Sequence, residues 1–174
     1  MADRELDKQF ILEHDSTSLQ AIIALYSGRY EAARQLAMPI VKKSRGVCEF
    51  VLGELCRVGQ DCDVNLFTAR DWYVSSSIQG YFRAHFEVGL ILREDVSPPN
   101  DEVFGTSPDQ ELSDIYLQKA HRAAMLRHEA GDVDATAFLG WWNCECAFAV
   151  PELALPSADS DLGVLLLTQA VTRG

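Results

Sequence analysis

Apolar residues recur at helical spacing along most of the chain. Between residues 47 and 59, for example, Val47, Val51, Leu52, Leu55 and Val58 return every three or four positions, and no stretch shows the alternation typical of a strand. The pattern therefore predicts an all-α protein, with a short helix within residues 1–17 and eight further helices. Those eight are expected near 18–28, 30–44, 47–59, 64–79, 81–94, 108–130, 132–147 and 159–172.

A short pattern repeats along the first of each pair of helices. Leu52-Gly53 returns as Val88-Gly89 and as Leu139-Gly140, each time after a leading glycine at position 46, 80 or 131. A glycine inside a helix costs about 1 kcal/mol against alanine, so it needs a packing reason. We expect a partner helix to approach the backbone closely at each of these three internal glycines.

The second helices also repeat. The segment ARDWYVSSS (69–77) aligns with LSDIYLQKA (112–120), and in this alignment Tyr116 is the equivalent of Tyr73. The same segment aligns more weakly with GVLLLTQAV (163–171). In the longer interval between two leading glycines, Gly80 and Gly131, residues 94–110 carry two adjacent prolines and several acidic residues, which predicts an inserted, exposed loop.

Each repeat is best interpreted as a helical hairpin. One hairpin buries little apolar surface, whereas stacked hairpins share a continuous core. The sequence therefore predicts an α-solenoid, a right-handed superhelix of about four antiparallel hairpins that forms a single domain over residues 1–174. Its repeats are expected at 18–45, 46–79, 80–130 and 131–174.

The repeated residues resemble a known family. A Leu-Gly pair, a turn, Ala-x-x-Trp-Tyr, two small residues and a glycine are similar to the Sel1-like repeats, a branch of the tetratricopeptide superfamily. Residues 46–80 carry the best match, and Ser76-Ser77 depart from it where the family usually has two alanines. The resemblance implies a scaffold or adaptor that binds peptides or proteins. The matching residues of that repeat are Leu52, Gly53, Gly59, Ala69, Trp72, Tyr73 and Gly80.

The charge balance narrows the class of partner. Fifteen basic residues against 26 acidic ones give a formal net charge of −11, which repels phosphate backbones and anionic membranes. No apolar run is long enough to span a bilayer, and the charged N-terminus lacks the apolar core of a signal peptide. The five cysteines are an odd number, which fits a reducing compartment, so we expect a cytoplasmic protein.

Candidate metal and catalytic groups are few. Cys48 and Cys56 share one helix, Cys144 and Cys146 point apart on another, and neither pair has the spacing of a zinc site. The histidines His121 and His128 share a helix face but have no evident third ligand. No nucleophile elbow or phosphate-binding loop occurs, so we expect no metal, no cofactor and no enzymatic activity.

A partner-binding groove is the most specific functional hypothesis. In stacked hairpins the first helix of each repeat lines the concave face, and the helical period measured from each Leu-Gly pair selects the side chains there. Aromatic and arginine side chains are favoured at binding hot spots. An alternative is that the aromatic residues complete the core, and His85 is expected to be a hydrogen-bonded structural histidine or a groove residue. The predicted groove residues are Phe50, Glu54, Arg57, Phe86, Leu90, Arg93 and Trp141.

The sequence thus supports three functional hypotheses. The first is an interaction module that holds a peptide or partner protein in its groove. The second is an inhibitor or immunity-type protein whose acidic surface sequesters one basic partner. The third, with least support, is a metal protein or enzyme built on the same fold.

Overall fold

The computed structural model describes residues 16–59, 65–93, 109–146 and 160–173, and every regular element among them is helical. The predicted all-α fold is therefore confirmed for the described residues. A 3₁₀ turn at Met38–Lys43 follows the second helix, and a π-helical turn at Trp142–Cys146 follows the seventh. The helices are α1 (Ser16–Tyr26), α2 (Tyr30–Ala37), α3 (Val47–Val58), α4 (Leu66–Ile78), α5 (Phe82–Arg93), α6 (Gln110–Glu129), α7 (Val133–Trp141) and α8 (Ser160–Arg173).

Consecutive helices pack as antiparallel hairpins. In the α3–α4 hairpin, Ser76 near the end of α4 donates a 2.6 Å hydrogen bond to the carbonyl of Gly46 at the start of α3. At the other end, the Asn65 amide donates to the Cys56 carbonyl at 3.1 Å. The pairs α5–α6 and α7–α8 run antiparallel in the same way, since Leu92 meets Asp109 and Gly140 meets Leu167.

The three internal glycines mark the close contact of each hairpin, as the sequence predicts. A Cβ atom on Gly53 would lie 2.7 Å from the Tyr73 ring, and one on Gly89 would lie 2.7 Å from Cγ of Leu117. On Gly140 the same atom would lie 2.7 Å from Cγ of Leu167. These distances are too short for any side chain, so the helices can approach this closely only at glycine.

These contacts also give the correct alignment of the second helices. Gly53 faces the Ala69 carbonyl and the Tyr73 side chain, and Gly89 faces the Ser113 carbonyl and the Leu117 side chain. Leu117 is therefore the equivalent of Tyr73, and the predicted pairing of Tyr116 with Tyr73 is wrong by one residue. A helix turns by about 100° per residue, so the slip takes Tyr116 out of the hairpin contact. The weaker alignment of 163–171 is confirmed, because Gly140 faces the Gly163 carbonyl and the Leu167 side chain.

Polar caps begin three of the helices. Asn65 accepts a hydrogen bond from the Thr68 amide, and Asp132 accepts one from the Ala135 amide. At the start of α6 the cap is Asp109, which accepts from the Leu112 amide at 2.9 Å. The sequence predicts an earlier start, near residue 108. Residue 108 and most of the predicted loop before it, residues 94–107, lie outside the described residues.

The chain divides into two compact units, one of residues 14–120 and one that contains residues 121–174. The core of the first unit is made of side chains from all of its hairpins, and its largest fully buried members are Tyr73, Tyr81 and Phe82. The core of the second unit contains Phe138 and Leu139 of α7. The boundary falls within α6, and the prediction of one domain over residues 1–174 stays a prediction.

Candidate functional site

A charged network joins the two helices of the α3–α4 hairpin. The Tyr73 hydroxyl of α4 donates a 2.7 Å hydrogen bond to Glu54 of α3, and the Arg57 guanidinium donates to the same carboxylate at 2.6 Å. Glu54 and Tyr73 are buried, whereas the side chain of Arg57 is half exposed. The network therefore connects the interior of the hairpin to its surface.

The next hairpin adds a negative charge to this network. The hydrogen bond with Glu54 raises the pKa of the Arg57 guanidinium above its ordinary range, and the Glu87 carboxylate of α5 acts in the same direction. Burial, with the negative charge of Glu54, raises the pKa of Tyr73 well above its ordinary value. Arg57 is thus always a cation and Tyr73 stays a neutral donor at physiological pH.

One repeat further along, Arg93 takes the position that Arg57 has in α3, four residues beyond the internal glycine. Its guanidinium donates to Asp114 of α6 at 2.6 Å and to the Ser113 hydroxyl at 3.1 Å. Ser113 in turn donates to the Gly89 carbonyl at 2.7 Å. These bonds hold Arg93 in one orientation, mostly buried along the hairpin.

Charged side chains of α3 and α5, together with Leu90, form what we call the Arg57–Arg93 face. We define it by five residues, of which Glu54 is buried, Arg93 is mostly buried and Arg57 is half exposed. Their sequence positions repeat, because Glu54 and Leu90 each follow the internal glycine, and Arg57 and Arg93 each come three residues later. The five residues are Glu54, Arg57, Glu87, Leu90 and Arg93.

Two of the predicted groove residues lie in the core instead. Phe50 and Phe86 are 3% and 6% exposed. The Phe50 ring contacts Tyr81 at 5.3 Å and Tyr73 at 5.9 Å between ring centroids, so it packs between one hairpin and the next. For Phe50 and Phe86, the alternative that the aromatic residues complete the core is therefore correct, while Leu90 is half-buried and reaches the surface.

The seventh predicted groove residue, Trp141, belongs to the second unit. Its ring is half-buried and lies 5.9 Å from the Phe138 ring. The neighbouring Trp142 is buried between Phe138 at 5.6 Å and His121 at 5.6 Å. Trp141 therefore stays a predicted partner-binding residue of that unit and is not part of the Arg57–Arg93 face.

His85 occupies an unusual environment on α5. Its Nδ1 atom is buried without a hydrogen-bond partner among the described residues, which differs from the hydrogen-bonded histidine that the sequence suggests. The ring lies 6.0 Å from the Tyr116 ring, which also has the Lys119 ammonium 4.9 Å from its centroid. Burial and the positive charge of Lys119 lower the pKa of His85 to about 4.

Among the described residues, two further histidines and one cysteine contact neighbouring side chains. His128 shares a 2.9 Å hydrogen bond with the Thr136 hydroxyl, whereas burial beside Trp142 lowers the pKa of His121. Cys48 is buried with its Sγ 3.9 Å from the Ser18 hydroxyl. Over the described ranges, no three His, Cys, Asp or Glu side chains converge as a metal site would require.

Glu87, Ser113 and Asp114 are site residues that the sequence analysis missed. Glu87 could have been found, because it precedes Leu90 by three positions and so shares its helix face. Ser113 and Asp114 could not be assigned with the slipped alignment of α6. In that alignment Leu112, instead of Ser113, is the equivalent of Ala69.

No protein-family model matches the sequence, and no curated protein sequence matches it. Among solved structures, the chain is similar to a Sel1 repeat protein from Oxalobacter formigenes, with 17% identity and a TM-score of 0.49. The match covers 92% of this chain and 84% of that one. The assignment of the hairpins rests on the contacts of Gly53, Gly89 and Gly140.

Within the four described ranges, each helix is either too short or too polar to cross a bilayer.

Proposed function

We propose that this protein is an interaction module that binds a peptide or a partner protein on the Arg57–Arg93 face, without catalysis. The observation that carries the proposal is the ordering of charged side chains at a surface. Arg57 and Arg93 are each held by a 2.6 Å hydrogen bond to a carboxylate, so little side-chain entropy is left to lose when a partner binds.

The chemistry of the face supports a protein ligand. Leu90 is half-buried on α5, three residues before Arg93, and an apolar side chain beside a fixed charge offers both contact area and orientation. Arginine is among the residues that most often dominate binding energy at protein interfaces. A peptide with an apolar anchor between polar groups fits this arrangement.

An affinity capture with matched variants tests the proposal. The full chain would be immobilised as wild type, as Arg57→Ala/Leu90→Ala and as Arg70→Ala, in which the altered arginine lies on α4 outside the face. We expect at least one protein from a native lysate to be retained by the wild type and the control but lost with the double variant. Equal retention of all proteins by the three would refute the proposed face.

A second candidate function, the sequestration of one basic partner, is favoured by the charge distribution. Around the two arginines stand the three carboxylates of Glu54, Glu87 and Asp114, in a chain of formal net charge −11. Such an excess accelerates the association of a cationic protein and makes the rate depend on salt. A single retained basic protein at equal stoichiometry would favour this candidate over a module with several ligands.

A further inference from the structure

Basic residues are concentrated in the α1–α2 hairpin and in the turn that follows it. Residues 16–46 contain five arginines and lysines and a single acidic residue, Glu31, so they carry a formal charge of +4. The rest of the chain carries −15, since the net charge of the whole chain is −11. This region is therefore positively charged in an otherwise acidic protein. Its basic residues are Arg29, Arg34, Lys42, Lys43 and Arg45.

Most of these cations are exposed and have no anionic partner. Arg29, Arg34 and both lysines are exposed, and none of them forms an ion pair with a carboxylate of the described residues. Glu31 instead accepts a 2.6 Å hydrogen bond from the Gln35 amide. Like charges on one hairpin repel each other, so an anionic ligand would lower the electrostatic energy of this surface.

The cations lie on the solvent side of α2 and of the 3₁₀ turn that continues it. Exposed residues come in pairs at 34–35, 38–39 and 42–43, separated by residues that are partly or fully buried. The opposite side of α2 packs on α1 and α3. We call the resulting surface the basic patch. Its members are Arg34, Met38, Lys42, Lys43 and Arg45.

Arg45 is held in a backbone conformation that arginine rarely adopts. Its φ is 53°, in the left-handed region, and that of Gly46 is 91°. Hydrogen bonds fix the turn on both sides, because the Ser44 hydroxyl donates to the buried Glu49 at 2.7 Å and the Gly46 carbonyl accepts from Ser76 at 2.6 Å. Glycine or asparagine would adopt this φ with less strain. An arginine at this position points to a use for its charge.

We propose that the basic patch binds an acidic segment of a partner protein. From Arg34 to Lys43 the helical path rises roughly 16 Å, and an extended peptide spans that distance with about five residues. A run of about five or six aspartates and glutamates therefore matches the patch in length and in charge. Met38 is 50% exposed between Arg34 and Lys42, so it offers apolar contact to the side-chain stems of such a peptide.

The charge of the rest of the chain favours a protein segment over a nucleic acid or a membrane. Both of those are extended polyanions, which the −15 outside residues 16–46 repels. A short acidic run need not extend beyond the patch. The patch shares no residue with the Arg57–Arg93 face, so the two surfaces can be tested separately.

Binding of a labelled hexaglutamate peptide to the full chain tests the proposal. Fluorescence anisotropy would follow it at low ionic strength, where exposed charges are least screened, and we expect saturable binding that weakens as salt is added. Arg34→Glu and Lys42→Glu/Lys43→Glu should each raise the dissociation constant at least about tenfold. The matched control Arg122→Glu changes the net charge as much as Arg34→Glu does, at an exposed arginine of α6, and should bind like the wild type.

Arg45→Gly separates the strain at this position from the charge. Glycine adopts the left-handed conformation readily, so the variant should keep the circular dichroism spectrum of the wild type, while the dissociation constant should rise at least about threefold. Wild-type affinity in this variant would contradict the proposal.

Other outcomes would also overturn it. These are a wild type that does not bind hexaglutamate, and an Arg122→Glu variant that loses as much affinity as Arg34→Glu. Tighter binding of oligothymidylate or of phosphatidylserine vesicles than of hexaglutamate would exclude a protein segment as the ligand. Self-association in sedimentation that Lys42→Glu/Lys43→Glu abolishes would identify a second copy of the chain as the occupant instead.

Discussion

The Tyr73 hydroxyl lies 2.7 Å from a carboxylate oxygen of Glu54 and donates a hydrogen bond to it across the α3–α4 hairpin. The same carboxylate accepts from Arg57 at 2.6 Å, so the buried oxygens of Glu54 are satisfied from two sides. A carboxylate without such partners would be costly at this depth. The bond thus couples the stability of the hairpin to the orientation of Arg57 at the surface.

Removing the Tyr73 hydroxyl should lower the stability of the folded protein more than removing an exposed hydroxyl would. We expect Tyr73→Phe to lower the free energy of unfolding by about 1–2 kcal/mol, because a buried acceptor loses its donor. Urea denaturation would measure the change. Tyr26→Phe, on an exposed ring, is the control and should change the midpoint little, while an equal effect of both substitutions would count against the buried hydrogen bond.

The glycine contacts predict an unusual outcome for a change that normally favours a helix. Gly53→Ala should destabilise the protein by about 1–2 kcal/mol, since overpacking against the Tyr73 ring outweighs the gain of about 1 kcal/mol in helix propensity. Thermal or urea unfolding would report the loss. In a double-mutant cycle, the loss should shrink when Tyr73 is also replaced by alanine, and a stabilised Gly53→Ala would contradict the close contact.

Core and surface positions on α5 can be separated by two truncations. We expect Phe86→Ala to cost about 3–5 kcal/mol of unfolding free energy, because the ring is buried, and Leu90→Ala to cost much less. Denaturant midpoints of the two variants measure the difference. Similar losses for both would mean that the exposed side of α5 does not lie at Leu90.

The half-buried side chain of His85 should make the stability of the protein sensitive to mild acid. His85 has a folded-state pKa of about 4, below the ordinary value of about 6.5, so the unfolded chain binds the proton first. Its contribution is fully present above pH 6.5 and is lost as the pH falls from about 6.5 to about 4. His85→Phe, which keeps a ring beside Tyr116, should reduce the loss of stability between pH 7 and pH 4.5. An unchanged pH dependence in urea titrations would argue against a neutral buried His85.

The sequence alone predicts the hairpins because glycine inside an apolar helix has few explanations, and Gly53, Gly89 and Gly140 share that feature. It does not predict the register of α6. Because residues 73 and 116 are both tyrosine, the sequence suggests that they are equivalent. The contact of Leu117 with Gly89 excludes this alignment and shows that it is wrong by one residue.

The sequence predicts only part of the candidate site, because it does not show how one hairpin packs on the next. The helical period identifies the exposed side of α3 and α5 well enough to find Arg57, Leu90 and Arg93. It does not show how far the next hairpin covers that side. Phe50 is buried because the Tyr81 ring from the following repeat lies against it, and such a contact depends on the angle between hairpins.

The most direct test of the Arg57–Arg93 face is the affinity of the captured partner for purified variants. Isothermal titration of that partner should give a dissociation constant at least about tenfold higher for Arg57→Ala/Leu90→Ala than for the wild type, equal to about 1.4 kcal/mol. Arg70→Ala should bind like the wild type, and circular dichroism should show all three proteins equally folded. Equal affinities for the double variant and the wild type would contradict the account, as would an equal loss in the Arg70→Ala control.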